Sequence, residues 1–163
     1  KNTISISLRK RIKPKLNFNL KLVKLKRNKP EFKNLKYKEI LSYLYKMDNS
    51  KSDIGLCSNK KIYETGTSNL FFIKDNKVFS PKKNYYRGIT YKFFNSKIKK
   101  IIQKDILISS LEKFDEIILI GSGKGVASVK TINQINWKRK SLKFYKLLNN
   151  HYSLAVNRSA IFK

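Results

Sequence analysis

The chain of 163 residues carries 38 lysines and arginines against 10 acidic side chains, a net charge of +28 at pH 7. A single cysteine, Cys57, excludes an internal disulfide framework and any CxxC pair, so we expect a reducing, cytoplasmic compartment and no zinc site. No apolar run approaches the roughly 20 residues that span a bilayer, and the first residues lack the apolar core of a signal peptide. We therefore expect no membrane partner.

The large positive charge has two interpretations. Clustered lysine and arginine side chains bind nucleic acid because they release counterions from phosphates. Here, however, the lysines are scattered through every segment, together with many asparagines, isoleucines, phenylalanines and tyrosines, the residues of A/T-rich codons. A nucleic-acid binder usually concentrates its charge in a stripe. We favour compositional drift and keep a basic nucleic-acid-binding protein as the alternative.

The first segments of the chain predict strands around one helix. Residues 3–9 predict a strand, and Pro14 among several cations predicts a polar linker, so we place a domain boundary near residue 14. Alternation of leucine and phenylalanine in period two predicts a half-buried strand over 16–25. Residues 34–47 predict a helix with Asn34 as a possible N-cap. The predicted apolar face of this helix comprises Leu35, Ile40, Leu41, Leu44 and Met47.

The middle of the chain predicts a hairpin followed by a helix. A short strand over 53–57 and a turn over 58–61 lead into residues 61–81, where two strand-like runs are joined by Asp-Asn-Lys and end at Pro81. Glu64 stands at the head of a turn of small residues in this stretch. A helix is predicted from Ile89 onward. Its apolar stripe comprises Tyr91, Phe94, Ile98, Ile101 and Ile102.

The last third of the chain predicts two more strands and two helices. Residues 105–108 predict a strand, after which Ser109 and Glu112 have capping-box spacing for a short helix. Residues 115–120 predict a fully apolar strand, and 142–155 predict the last helix. These elements together indicate an α+β fold with a mostly antiparallel or barrel-like sheet.

Two segments are candidate anion sites. The glycine-rich run IGSGKGVASV at 120–129 follows a buried strand, so its backbone N–H groups can converge on a phosphate, or it can be a tight strand exit. It is neither a P-loop nor GxGxxG, since Val126 occupies the last glycine position. Gly88 precedes a helix whose first free N–H groups belong to Ile89 and Thr90. This helix N-terminus can bind an anion, or it can be an ordinary junction between a loop and a helix. Two such sites can clamp one phosphate.

Two side chains have catalytic potential only under special conditions. Lys36 lies in a lysine-rich chain and reads as a solvated surface lysine; only a desolvated, neutral amine would form a Schiff base. His151 is the only histidine, which disfavours a Ser-His-Asp triad or a histidine-rich metal site. We expect His151 at the surface or at a helix end.

Four separated segments match the motifs of one family: NLK at 34–36, ETGTSNLFFIKDNKVFSP at 64–81, RGIT at 87–90 and DEIILIGSGKGVASV at 115–129. Together they resemble the class IV pyridoxal-phosphate enzymes, a family that includes branched-chain aminotransferases, D-amino-acid aminotransferases and aminodeoxychorismate lyases. The resemblance covers residues 15–157 and implies the C-terminal, cofactor-binding domain of the D-amino-acid aminotransferase-like fold, a barrel-like mixed sheet with flanking helices, over 15–163. It further implies a small-molecule substrate and a homodimer at full length.

The resemblance implies roles for two side chains. Lys36 matches the lysine that holds pyridoxal 5'-phosphate covalently and later shuttles the substrate proton. Glu64 matches the carboxylate that pairs with the protonated pyridine nitrogen of the cofactor and keeps its ring an electron sink. The motif often has asparagine three residues after the lysine, where this chain has Glu39.

The resemblance also implies a phosphate site. Ile89 and Thr90 match the residues that offer backbone N–H groups to the cofactor phosphate. Ser122, after Gly121, matches a hydroxyl donor to the same phosphate. Both candidate anion sites thereby acquire one ligand.

Within the family, the segments RNKPEFKNLK and GSGKGVASV look most like aminodeoxychorismate lyase, which forms 4-aminobenzoate and pyruvate for folate synthesis; a class IV aminotransferase is the alternative. Family members also have an N-terminal domain that closes over the cofactor and supplies an arginine to its phosphate. Only residues 1–14 match its end, as a last strand plus linker. We therefore expect the chain to be the C-terminal part of the enzyme.

Overall fold

A curled, mixed β-sheet organises the computed structural model, which describes residues 12–32 and 37–159. The described strands are β1 (Phe18–Lys24), β2 (Ser52–Ser58), β3 (Lys61–Thr65), β4 (Asn69–Lys74), β5 (Lys77–Pro81), β6 (Ile101–Lys104), β7 (Glu116–Gly121), β8 (Gly125–Ile132) and β9 (Trp137–Lys138). The described helices are α1 (Lys38–Leu44), α2 (Ile89–Lys97) and α3 (Lys143–Arg158), with 3₁₀ helices at Ile108–Lys113 and Asn133–Ile135. The predicted strand over 3–9 and the N-cap Asn34 lie outside the described residues.

The sheet curls far enough for its two ends to meet. Its strand order is β3-β2-β1-β8-β7-β4-β5-β6, with β9 paired to β8. Strand β1 runs parallel to β2 and β8, and β5 runs parallel to β6, while the other pairs are antiparallel. At the edge of β3, the Ile62 N–H donates to the Ile106 carbonyl (3.0 Å), and the Ile108 N–H donates to the Lys60 carbonyl (2.9 Å). This near-closure confirms the predicted α+β class and barrel-like mixed sheet.

Strand β7 explains why the sheet needs cover on both faces. Ile117 and Leu119 belong to the barrel core, the buried cluster inside the curl that also contains Phe18. Ile118 and Ile120 point the other way, into the helix-side core that lies beneath α2 and α3. A strand buried on both faces has no polar alternation, so a continuous apolar run is the pattern it requires.

A third buried cluster, the α1 cluster, packs α1 against β1 and β2. Ile40 and Leu44 supply the helix side of this cluster, and Met47 packs against it, as predicted. Leu41 was expected on the same face, but its side chain is 38% exposed. Because α1 has seven residues, its buried stripe is one turn long, and Leu41 is rotated about 100° from Ile40.

The prediction of one long helix after Ile89 was wrong at its C-terminal end. Helix α2 ends at Lys97, since Ile98 already has extended backbone angles (φ −91°, ψ 124°). Ile101 and Ile102 instead pair in parallel with Val78 and Phe79. The reason is that β5 would otherwise present unpaired N–H and C=O groups along its free edge. The spacing of Ile98, Ile101 and Ile102 suits either a helix or a strand. Pairing with the free edge of β5 selects the strand.

The predictions for residues 105–112 were also partly wrong. Residues 105–108 form one isolated bridge, between Lys61 and Leu107, instead of a strand. The following 3₁₀ helix begins after Leu107, and Ser109 makes no capping hydrogen bond with its side chain. The physical reason is a three-residue spacing: Ile108 and Leu111 lie on one face of a helix with three residues per turn, and Phe114 follows its end. All three side chains pack into the barrel core.

Helix α3 is attached to the sheet by a buried carboxylate. The predicted range of 142–155 is close to the observed one. Glu116, on β7, accepts the backbone N–H groups of Phe144 and Tyr145 in the first turn of α3, both at 2.9 Å. These N–H groups have no partner within the helix, and a negative charge also suits the helix dipole there. Among the described residues, no helix combines the length and apolarity needed to cross a membrane.

We expect Glu116→Gln to lower the free energy of unfolding by about 2 kcal/mol, because an amide replaces a carboxylate that receives two backbone N–H groups. Urea unfolding followed by circular dichroism measures this loss. The exposed Glu112→Gln is the matched control and should change stability little. Equal stability of both variants would contradict the anchoring role of Glu116.

Candidate functional site

A cleft of about 520 Å³ opens between α1, the turn after β3, the start of α2 and the end of β7. Five of the predicted site residues line it together, although they come from three separate parts of the chain. They are Glu64, Ile89, Thr90, Gly121 and Ser122. Lys36 lies outside the described residues, while Tyr37, the residue after it, lines the cleft. His151 is exposed on α3 and lies apart from the cleft.

A β-bulge directs Glu64 toward this cleft. Cross-strand partners share one face of a sheet. Cys57 pairs with Ile62 on the barrel-core side, whereas Leu56, which belongs to the α1 cluster, pairs with Glu64. In a regular strand Ile62 and Glu64, two residues apart, would face the same way. The register shift between these pairs turns Glu64 out of the barrel core, as bulges commonly do near functional sites.

Glu64 is ion-paired within the cleft. The Arg27 Nε atom lies 2.9 Å from Glu64 Oε1, and the two side chains are only 9% and 5% exposed. Burial raises the pKa of the Glu64 carboxyl above its ordinary value, while the Arg27 guanidinium and a hydrogen bond from the Tyr86 N–H oppose that rise. Arg27 therefore favours the charged form of this carboxyl, whereas burial disfavours it.

Arg27 is a site residue that the sequence analysis missed. It follows β1, donates to the Gly66 carbonyl at 3.4 Å, and lies 4.8 Å from the centre of the Tyr37 ring. The available signal was weak: an arginine in a chain whose cations are mostly lysines. Its planar guanidinium can bind a carboxylate and cover an aromatic ring at once, which an ammonium does less well.

Asn69, a second residue that the sequence analysis missed, binds the backbone just before α2 and fixes the start of this helix at the cleft. The Asn69 Nδ2 atom donates to the Tyr86 carbonyl (2.6 Å), and its Oδ1 accepts the Gly88 N–H (3.2 Å). The first turn of the helix is closed by the Lys92 N–H to the Gly88 carbonyl (3.1 Å). The N–H groups of Ile89 and Thr90 precede that bond and have no partner within the helix.

The turn between β7 and β8 supplies the opposite wall. A Cβ atom at Gly121 would lie 2.9 Å from the Ser68 hydroxyl oxygen and 3.3 Å from the Thr67 carbonyl oxygen, so any other residue would force the Ser68 hydroxyl to move. Gly125 closes the turn with φ 74°, a left-handed conformation that favours glycine. Gly121 and Gly125 are the last pair of this hairpin, and the segment between them, with Ser122 in the cleft, is a tight strand exit.

The cleft thus has two chemically different ends. One end presents a buried carboxylate with its arginine. The other end is lined by the first residues of α2 and by Gly121 and Ser122 of the glycine-rich turn. A ligand with a cationic or N–H-bearing ring at one end and a phosphate at the other complements this arrangement.

Comparison with known proteins is consistent with this geometry. Residues 6–132 match the family model described as Amino-transferase class IV. A comparison with curated protein sequences finds no match. A candidate 4-amino-4-deoxychorismate lyase of Legionella pneumophila is similar in structure, with a TM-score of 0.73 and 18% identity, over 93% of this chain and 59% of that one.

Two aminotransferase structures are similar as well. A candidate branched-chain amino acid aminotransferase of Thermotoga maritima has a TM-score of 0.68 and 19% identity, over 90% of this chain and 58% of that one. The branched-chain amino acid aminotransferase of Thermobaculum terrenum, in its PLP form, has a TM-score of 0.72 and 16% identity, over 87% and 52%. At these identities the similarity shows the fold, and the chain spans less than two thirds of each of these proteins.

We expect Arg27→Met to destabilise the protein by roughly 3 kcal/mol near neutral pH, because it leaves a buried carboxylate without its cation. The pKa of Glu64 is already raised by burial and should rise further in this variant. A raised folded-state pKa means that the folded protein binds more protons than the unfolded chain. Stability therefore falls as pH increases above the ordinary carboxyl pKa of about 4.3.

Urea unfolding of Arg27→Met and wild type at pH 4.5 and pH 7.5 measures this effect. The free energy of unfolding that the variant loses relative to wild type should be larger at pH 7.5. The matched control is the double variant Arg27→Met with Glu64→Gln, in which the added pH dependence should disappear. A penalty that is the same at both pH values would show that Glu64 is not the group affected.

Proposed function

Since the chain belongs to the class IV aminotransferase family, we propose that it binds pyridoxal 5'-phosphate in the cleft and uses it on a small amino-group-bearing substrate. One observation supports the proposal: a single cleft is lined by the ion-paired carboxylate of Glu64 and by the two segments predicted to bind an anion, Ile89 with Thr90 and Gly121 with Ser122. These are the groups that the two ends of this cofactor need.

The chemistry of the donors fits the cofactor. Its pyridine nitrogen, when protonated, is a cation and a hydrogen-bond donor, and Glu64 is an acceptor kept charged by Arg27. Its phosphate accepts hydrogen bonds, and the N–H groups of Ile89 and Thr90 together with the Ser122 hydroxyl are donors at the other end of the cleft. The bound cofactor supplies an electron sink for negative charge that develops on the substrate.

We assign the following work to the chain's own residues. Glu64 holds a proton at the pyridine nitrogen, and Arg27 keeps Glu64 ionised while it does so. Lys36 holds the cofactor covalently and moves a proton at the substrate carbon, as the family motif implies. The backbone N–H groups at the start of α2, with Gly121 and Ser122, orient the phosphate.

We further propose that the reaction is the conversion of 4-amino-4-deoxychorismate to 4-aminobenzoate and pyruvate. The segments RNKPEFKNLK and GSGKGVASV support this choice, because they look most like the lyases. Class IV aminotransferase activity on a branched-chain or D-amino acid is the alternative within the family. The homodimer, the cytoplasmic location and the domain boundary near residue 14 stay predictions.

Addition of pyridoxal 5'-phosphate should produce an absorbance band near the edge of the visible range. Borohydride should abolish the band and leave the cofactor attached at Lys36, because reduction converts the imine of a lysine amine into a stable bond. Spectrophotometry and mass mapping of the reduced chain measure both effects.

Lys36→Ala should lose the band, whereas Lys38→Ala, two residues along and exposed, is the matched control and should keep it. A chain without the band that instead binds nucleic acid tightly, with a steep dependence on salt, would favour the basic-binder alternative.

Product identity decides between the two reactions. Incubation of the protein at its full natural length with 4-amino-4-deoxychorismate should release 4-aminobenzoate and pyruvate in equal amounts, detectable by fluorescence and by a coupled pyruvate assay. Glu64→Gln should slow this release by about two orders of magnitude, because an amide no longer holds the pyridine nitrogen protonated. Transfer of an amino group to a 2-oxo acid, with no release of 4-aminobenzoate, would contradict lyase activity.

A further inference from the structure

A second buried ion pair lies behind the cleft. Lys124 Nζ lies 2.8 Å from Asp53 Oδ2, and the two side chains are 3% and 0% exposed. Asp53 comes from β2, and Lys124 comes from the turn between β7 and β8, 71 residues later. The Lys124 ammonium also lies 5.1 Å from the centre of the Phe18 ring.

Asp53 collects donors from three segments of the chain. Its Oδ2 atom accepts hydrogen bonds from the hydroxyls of Thr65 (3.1 Å) and Thr67 (2.5 Å), in addition to the Lys124 ammonium. Its Oδ1 atom accepts the Ile54 N–H at 2.7 Å. Because Oδ2 accepts from two segments that are distant from Asp53 in the chain, the carboxylate joins β2 to the turn after β3 and to the turn after β7.

Both turns that meet at this joint line the cleft. Thr67 and Ser68 line it from one side, and Gly121 and Ser122 line it from the other. Gly121 approaches Ser68 so closely that a Cβ atom at position 121 would displace the Ser68 hydroxyl. A shift of either turn would therefore change the spacing of the two walls at the end of the cleft that holds the backbone donors.

A buried ion pair is a costly way to stabilise a fold, since desolvation offsets much of its attraction and an apolar pair of the same size often serves as well. What the pair adds is directionality, because its hydrogen bonds specify one arrangement of the two turns. That property is useful where a neighbouring group must be held in place.

We propose that the salt bridge between Asp53 and Lys124 positions Gly121 and Ser122 against Thr67 and Ser68, and that it thereby sets the affinity of the cleft for the phosphate of its ligand. The two residues are positioning residues and do not touch the ligand. The inference rests on the proposed function for the identity of that phosphate.

The test compares pyridoxal 5'-phosphate with pyridoxal, which lacks the phosphate. Lys124→Met, similar in length but uncharged, should weaken binding of the phosphorylated ligand by about fivefold or more, the worth of one displaced hydrogen bond. It should leave pyridoxal binding unchanged. Absorbance titration gives both dissociation constants, and their ratio is the readout, because a general loss of stability would weaken both ligands alike.

Two further variants separate the causes. The double variant Asp53→Asn with Lys124→Met removes both charges, so it avoids an unpaired buried charge if the single variant does not fold, and it leaves net charge unchanged. The double variant should also lose phosphate preference. Glu116→Gln removes a buried carboxylate at the other end of β7 from this joint. It should destabilise the protein and keep the wild-type ratio of the two dissociation constants.

Two outcomes would overturn the inference alone. One is that Lys124→Met and the double variant both keep the wild-type ratio of the dissociation constants for pyridoxal 5'-phosphate and pyridoxal. The other is loss of the ratio in Lys124→Met with full recovery in the double variant, since that would show a charge effect instead of positioning. A wild-type chain that binds neither ligand would overturn the proposed function, and this inference with it.

Discussion

The cleft depends on keeping one carboxylate charged where it is shielded from water. Burial raises the pKa of the Glu64 carboxyl, and the Arg27 guanidinium, 2.9 Å away, opposes that rise. Several features of the fold serve this contact. The exit of β1 carries Arg27, and the bulge opposite β2 turns Glu64 away from the barrel core. The curl of the sheet brings both to the same cleft as the start of α2. A flat sheet with a regular β3 would leave the carboxylate inside the barrel, without its cation.

The acidic side chains of this basic protein are used in specific places. Lysines cover much of the surface, whereas Asp53, Glu64 and Glu116 are buried, and each accepts hydrogen bonds from named donors. Asp53 joins two turns, Glu64 faces the cleft, and Glu116 anchors α3. A composition that drifts toward lysine changes the solvated faces easily, because a surface lysine has few fixed partners. The buried acids cannot drift in that way without leaving donors unsatisfied. This contrast agrees with the interpretation of the net charge as drift.

The elements that could be predicted are those whose pattern has a single explanation. The alternating apolar residues of β1 predicted a half-buried strand, and the continuous apolar run of β7 predicted a strand buried on both faces. Both strands were confirmed. Ile101 and Ile102 suited a helix and a strand equally well, and the unpaired edge of β5, invisible in the local pattern, decided between them. Ser109 failed as a cap for a similar reason, since Leu111 and Phe114 are drawn into the barrel core. Local patterns fail where a distant surface selects the conformation.

The same reasoning separates the two ends of the cleft. At the end of the cleft proposed for the phosphate, the expected donors are mostly backbone groups, and glycines mark that backbone in the sequence: Gly121 approaches Ser68 closely, and Gly125 has φ 74°. Both anion sites could therefore be proposed from short motifs. At the carboxylate end the chemistry comes from side chains whose partners are far apart in the chain: Arg27 is 37 residues from Glu64. No local spacing encodes such a pair, and only the folded sheet brings it together. Arg27 is consequently visible as a functional candidate through its buried partner and not through its neighbours in sequence.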